Sequence, residues 1–76
     1  MNRTELRQAL DEAGFSPMDY RLPPDKPDDN TFCLERRGKV WLVYHLERGT
    51  RFELRRFNTE DAACEYFLRR FRGGPL

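Results

Sequence analysis

Residues 38–57 read GKVWLVYHLERGTRFELRRF, and their pattern decides the fold. A dense apolar and aromatic run over 40–45 is followed by a polar interruption at 47–50, after which polar and apolar residues alternate over 51–55. Two strand-forming runs separated by a short polar segment predict a β-hairpin. Gly49 lies in the interruption, and glycine readily supplies the positive φ that a tight hairpin turn needs. The rest of the chain is expected to flank this hairpin or to pack against it.

The segments on either side predict one more strand and two helices. Asn2 and Glu5 have the spacing of a capping box and precede apolar residues at helical intervals, which predicts a helix over about 3–13. A second helix is predicted over about 59–72, with Gly73 and Gly74 ending it. We therefore expect an α+β fold in which an N-terminal and a C-terminal helix flank a three-stranded antiparallel meander, in the order αβββα. The strands are expected at about 31–36, 39–47 and 51–57.

The connection over residues 16–30 is predicted to be a loop within a single domain that covers residues 1–76. It is rich in proline and aspartate, and proline removes backbone donors. Tyr20 and Leu22 are the residues expected to hold the loop against the rest of the domain.

The middle strand carries large apolar side chains on both of its faces. Because side chains alternate along a strand, they form two sets. Val40, Leu42, Tyr44 and Leu46 lie on one face, and Trp41, Val43, His45 and Glu47 lie on the other. Two helices can cover only one face of so small a sheet. We therefore expect the other face to stay exposed and to act as an interaction surface.

The charge balance argues against a dedicated nucleic-acid binder. The chain has 14 basic and 13 acidic side chains, which gives a formal net charge of +1 and no strong overall field. Charges are nevertheless unevenly placed, since residues 35–56 carry seven basic and three acidic side chains. Arginines interleaved with aromatic residues suit phosphate contact and base stacking. A small nucleic-acid-binding module that uses the basic hairpin is therefore the alternative function.

Residue types needed for catalysis or metal binding are scarce. His45 is the only histidine, and without an evident catalytic partner it is read as a packed or surface residue. Cys33 and Cys64 match no zinc spacing and are predicted to be buried thiols. We expect no enzyme activity, no metal site and no cofactor.

Residues 1–20 are charged and lack the apolar stretch of a signal peptide, and no segment is apolar and long enough to span a bilayer. We therefore expect a cytoplasmic protein that does not bind membranes.

Three motifs resemble the sequences of small bacterial immunity proteins, which are encoded beside secreted polymorphic toxins. The first is Phe32-Cys33-Leu34 in a strand. The second is the run WLVYHLERG over residues 41–49, in which His45 and Leu46 depart from the residues common in that family. The third is the segment FNTEDAACEYFL over residues 57–68. An acidic, proline-rich loop after a short helix completes the likeness, which extends over nearly the whole chain.

The resemblance implies that the chain binds and neutralises a cognate toxin domain, one to one, by covering its active site or substrate-binding site. Aromatic and arginine anchors concentrate binding energy, and acidic groups can mimic phosphates in a basic cleft. A homodimer through the open edge of the sheet is a further possibility. The predicted partner-binding residues are Trp41, Tyr44, His45, Glu47, Arg48 and Arg51 in the hairpin, and Tyr20, Asp25, Asp28 and Asp29 in the loop.

Overall fold

A computed structural model of the chain describes residues 1–72, apart from the side chain of Glu53. Two helices pack against one face of a four-stranded sheet. The predicted helix stop at Gly73 and Gly74 lies outside the described residues. The elements are α1 (Arg3–Glu12), β1 (Tyr20–Arg21), β2 (Thr31–Arg37), β3 (Val40–Glu47), β4 (Thr50–Phe57) and α2 (Glu60–Phe71).

The sheet has the order β1-β2-β3-β4, and this corrects the predicted three-stranded antiparallel meander. The β2-β3 and β3-β4 pairs are antiparallel, as predicted. The added strand β1 lies within the segment predicted as loop and runs parallel to β2, with Tyr20 opposite Phe32. Tyr20 and Leu22 are buried, which holds this part of the connection against the body of the protein as expected. Because the neighbouring prolines stand at 17, 23 and 24, the two residues of β1, Tyr20 and Arg21, keep the N–H groups that pairing requires.

Helix α1 begins and ends as its sequence predicts. The side chain of Asn2 accepts a hydrogen bond from the N–H of Glu5, and the Glu5 carboxylate accepts one from the N–H of Asn2, both at 2.9 Å. This capping box satisfies two backbone donors that the first turn leaves without helical partners. At the other end Gly14 has a φ of 85°, and the N–H of Phe15 donates to the carbonyl of Leu10 at 3.1 Å. This bond and the positive φ of Gly14 end the helix in a Schellman motif.

The two helices run side by side in the same direction. At their starts, the amino group of Met1 pairs with Asp61, and the Arg3 Nε donates to the Glu60 carboxylate at 3.0 Å. At the far end, the rings of Phe15 and Phe71 meet edge to face with centroids 4.7 Å apart. Contacts at both ends therefore fix α1 against α2.

The main core lies between the helices and one face of the sheet. Phe67 on α2 is fully buried, and its ring lies 4.8 Å from that of Phe32 and 6.5 Å from that of Tyr20. Trp41 and Val43 of β3 belong to the same cluster. The helices therefore cover the face that carries Trp41, and not the face that carries Tyr44.

The face away from the helices is also buried at its centre, so the expectation of an exposed apolar face is wrong. Leu42 is 6% exposed, and Tyr44 and Cys33 are 0% exposed. Only the half-buried Val40 and Leu46 at the margin of this smaller cluster contact solvent in part. At Tyr44, charged side chains of the neighbouring strands cover the residue, since Arg51 lies over its ring and Glu35 accepts a hydrogen bond from its hydroxyl.

Replacing Phe67 by alanine tests the position of the core. The change removes a fully buried ring in contact with three other aromatic residues. We expect the free energy of unfolding to fall by about 3–5 kcal/mol, a large part of the roughly 5–15 kcal/mol typical of whole proteins. Urea denaturation followed by circular dichroism measures this. The matched control is Met18→Ala at a site 78% exposed, where we expect a change within about 0.5 kcal/mol. Equal losses in the two variants would contradict the core assignment.

Candidate functional site

Three of the predicted contact residues are buried in the fold. Trp41 is 7% exposed, and two guanidinium groups lie over its ring, those of Arg3 at 5.5 Å and Arg36 at 5.7 Å from the ring centroid. Such cation–π contacts stabilise the ring where it is. Tyr20 packs against Phe67 and Phe71 in the main core. Together with the buried Tyr44, these aromatic residues stabilise the fold and do not offer their rings to a partner.

Tyr44 is held beneath a charged network on the face away from the helices. Its hydroxyl donates to the Glu35 Oε1 at 2.6 Å, and the Arg51 guanidinium lies 4.9 Å from the centroid of its ring. The other Glu35 oxygen accepts from Arg37 Nη2 at 2.8 Å, and Arg51 Nη2 is 3.7 Å from Glu35 Oε1. Glu35 therefore joins two arginines to the buried tyrosine. Because Tyr44 is fully buried, Tyr44→Ala is expected to destabilise the fold.

The network shifts two pKa values in opposite directions. Burial raises the pKa of the Tyr44 hydroxyl, and the hydrogen bond to Glu35 raises it further. For Glu35, burial opposes ionisation, but hydrogen bonds from Tyr44 and Arg37 outweigh it and hold the pKa of the carboxyl below its usual value. The network thus favours a neutral tyrosine hydroxyl that donates to an ionised carboxylate.

The hairpin turn projects Arg48 in an unusual backbone conformation. Arg48 has a φ of 51° and Gly49 a φ of 78°, which together define a type I′ turn between Glu47 and Thr50. Glycine adopts this region freely, whereas a side chain such as that of arginine meets a steric cost there. Glu47 and Arg48 are both exposed. The turn therefore presents two charged side chains at the cost of local strain.

The end of the proline-rich loop lies directly against this turn. The N–H of Asn30 donates to the carbonyl of Leu46 at 2.7 Å, and the carboxylate of Asp29 accepts a hydrogen bond from the N–H of Arg48. Asp28 is exposed beside them and pairs with Arg21 at 3.3 Å. We call residues 28–30 and 47–49 the turn–loop surface. The structure thus joins two regions that the sequence suggested as separate contact sites.

Two predicted site residues lie apart from the exposed part of this surface. Asp25 is directed to helix α1, where Arg7 Nη2 binds its carboxylate at 3.2 Å. His45 is half-buried on the helix side of the sheet and lines an open cavity of about 260 Å³. The other residues around that cavity are Asp19, Asn30, Phe32, Arg70 and Phe71.

The outer strand β4 exposes two apolar side chains that were not among the contact residues predicted from the sequence. Phe52 and Leu54 are each 46% exposed, which makes them the most exposed large apolar residues of the sheet. The alternating pattern RFELRR over 51–56 contains the signal for these residues, but the longer apolar run before it is the stronger pattern in the sequence. Glu35, which holds Tyr44 in place, was also missed because only the strand register brings these residues together.

Other chemistry is sparse in the part of the chain that the structure describes. Both cysteines are buried and free, and burial raises the pKa of Cys64 to about 11, which keeps it a thiol. Within residues 1–72, no group of three His, Cys, Asp or Glu side chains is placed to hold a metal ion. Neither described helix is long and apolar enough to cross a membrane.

Comparison of the chain with protein-family models, with curated proteins and with solved structures gives no match.

Glu35→Gln tests the charged network through the pH dependence of stability. A carboxyl whose pKa is lower in the folded state stabilises the fold above its unfolded pKa, and this contribution is lost as pH falls through the folded pKa. We therefore expect wild-type stability to decline on acidification below about pH 4.5, the usual range for glutamate. The variant should show a shallower decline. Urea midpoints measured between neutral and acidic pH give both profiles, and parallel profiles would contradict the role of Glu35.

Proposed function

We propose that this protein binds and neutralises a cognate toxin domain, and that the turn–loop surface makes the central contact. The observation that carries the proposal is the joining of the acidic loop to the hairpin turn through Asp29 and Arg48. One compact patch then combines an exposed arginine with several carboxylates. Clustered anchors of this kind are where binding energy concentrates in protein interfaces.

The backbone of Arg48 supports the same proposal. Asn30 also has a positive φ, 61°, but asparagine tolerates that region, whereas arginine rarely adopts it. Asparagine is the residue preferred at the first position of a type I′ turn. Strained residues of this kind cluster at functional sites. We infer that arginine occupies position 48 because it contacts the partner, and not because it stabilises the turn.

The charges of the surface indicate the chemistry of the toxin. Asp28, Asp29 and Glu47 outnumber Arg48 and the Arg21 that pairs with Asp28, so the patch has a small net negative charge and suits a basic cleft. Enzymes that act on nucleic acids or nucleotides carry such clefts because their substrates are anionic. Complementary charge would also speed association of the two proteins. This fits the resemblance to immunity proteins, whose central motif ends at Glu47-Arg48-Gly49.

The nucleic-acid alternative rests on β4, which contains the exposed Phe52 together with the exposed Arg51 and Arg55. It ranks second because Arg37 and Arg51 are both paired with Glu35, which reduces the charge available to phosphates. Retention on immobilised single-stranded RNA at increasing salt separates the two functions. Tight binding with a steep salt dependence would favour the alternative.

The proposal is tested with the toxin domain encoded next to this chain. Co-expression should restore growth of cells that produce the toxin domain, and the two proteins should co-purify one to one. If the neighbouring product is not toxic, or if its toxicity is unchanged by this chain, the proposal fails.

Arg48→Asn gives the residue-level test. Because asparagine relieves the strain of the turn, we expect the free energy of unfolding to rise by about 1 kcal/mol. Loss of the arginine should weaken binding of the toxin domain by about tenfold or more, the usual effect of losing a hot-spot arginine. Denaturation and calorimetric titration measure the two effects. Arg69→Gln, an exposed helical site that also loses one positive charge, is the control and should change neither quantity. Unchanged affinity in Arg48→Asn would remove Arg48 from the site.

A further inference from the structure

Strand β4 forms a long open edge of the sheet. The order β1-β2-β3-β4 leaves β4 with a partner on one side only, and its eight residues span Thr50–Phe57. The opposite edge, β1, has only two residues. A strand at an edge directs alternate N–H and C=O groups away from the sheet, where they can pair with another chain. The backbone of β4 is therefore the main site in the sheet at which a further strand can be added.

The side chains of this edge are apolar and basic. Helix α2 reaches the edge at Phe57, whose ring lies 5.3 Å from that of Tyr66. Towards the hairpin turn, Phe52 and Leu54 are each 46% exposed. Arg51 precedes Phe52, Arg55 and Arg56 follow Leu54, and all three arginines are exposed. Apolar residues and arginine are both enriched at protein interfaces, so the edge combines unpaired backbone with side chains suited to contact.

We propose that the β4 edge binds an extended acidic segment of a partner protein, which joins the sheet as an additional strand. The positive charge of the edge favours an acidic segment as the added strand. The sequence of β4 carries three arginines and one glutamate, which leaves the strand net positive even though Arg51 also lies 3.7 Å from Glu35. An acidic strand complements this edge, whereas β4 of a second copy brings a net positive charge to it and is repelled.

An irregularity in the β3-β4 register limits where the added strand pairs. The register shifts between Val43 and His45, so that β4 carries an extra residue between Phe52 and Arg55. Bulges and charged side chains on an edge both discourage pairing with unrelated strands. An added strand can therefore pair regularly only with residues 50–52 and 55–57 of β4, on either side of the irregularity. The edge is thus protected against copies of itself and accepts segments whose charge compensates the arginines.

The surface is separate from the turn–loop surface, and its test does not depend on the toxin. The probe is a synthetic eight-residue peptide with capped ends in which glutamate and valine alternate. It is titrated at low ionic strength into the ¹⁵N-labelled protein, and amide shifts are followed by NMR. We expect the shifts to concentrate in β4 and in the neighbouring residues of β3. A peptide with lysine in place of glutamate should bind about tenfold more weakly or worse.

Backbone methylation separates strand addition from simple charge attraction. Two further peptides carry N-methyl groups on one or the other set of alternate amides, which blocks hydrogen bonding along one edge of the peptide strand. One of them should lose binding by about tenfold or more, and the other should retain it. Equal binding of both methylated peptides would overturn the proposal, and so would shifts centred outside β4 or the absence of binding by the unmethylated peptide.

A charge-swapped protein completes the test. The double variant Arg55→Glu/Arg56→Glu should bind the lysine peptide in preference to the glutamate peptide, with its amide spectrum showing that it is folded. Arg48→Asn should bind the glutamate peptide as the wild type does, which separates this surface from the proposed toxin contact. Concentration-dependent dimerisation of the wild type that is lost in a Phe52→Ser variant would identify a second copy as the occupant and overturn the proposal.

Discussion

The structure depends on strand β3 being buried on both faces, although the chain has only enough helix to cover one. Trp41 and Val43 face the helices and join the main core. Leu42 and Tyr44 face the other way and are sealed by side chains of the sheet itself, with Glu35 bonded to the Tyr44 hydroxyl and Arg51 over its ring. A buried hydroxyl needs a partner, and the ionised carboxylate supplies a strong one. Charged side chains of the sheet thus cover apolar groups that a third helix would cover in a larger protein.

This arrangement decides which parts of the chain are free to contact other molecules. The aromatic side chains with the largest potential contact area are buried in the fold. The surfaces that remain exposed lie at the end of the sheet and along its outer edge. At one end the turn with Arg48 meets the loop with Asp29, and along the edge β4 exposes Phe52 and Leu54. These two surfaces differ in charge, since the first is acidic and the second is basic. The described residues therefore expose two surfaces of opposite charge.

Local patterns predicted most of the elements. The capping box at Asn2, the positive φ at Gly49 and the burial of both cysteines agree with the sequence because each depends on neighbouring residues or on one residue type. Strand β1 was missed because its two residues lie among prolines and gain order only by pairing with β2. The residues of the candidate site were less predictable. Trp41 and Tyr44 are buried because Arg3, Glu35 and Arg51, which belong to other elements, contact them. These contacts depend on strand register and on packing between elements, and the alternation of side chains along one strand does not reveal either.

Native-state hydrogen exchange of the backbone amides of Trp41–Tyr44 tests the double burial of β3 most directly. The account predicts that these amides exchange only through global unfolding, with an opening free energy equal to the stability measured by denaturation. The outward-facing amides of β4 should exchange through local fluctuations and much faster. Exchange of Val43 and Tyr44 through a partial opening, at rates close to those of the β4 edge, would contradict the account.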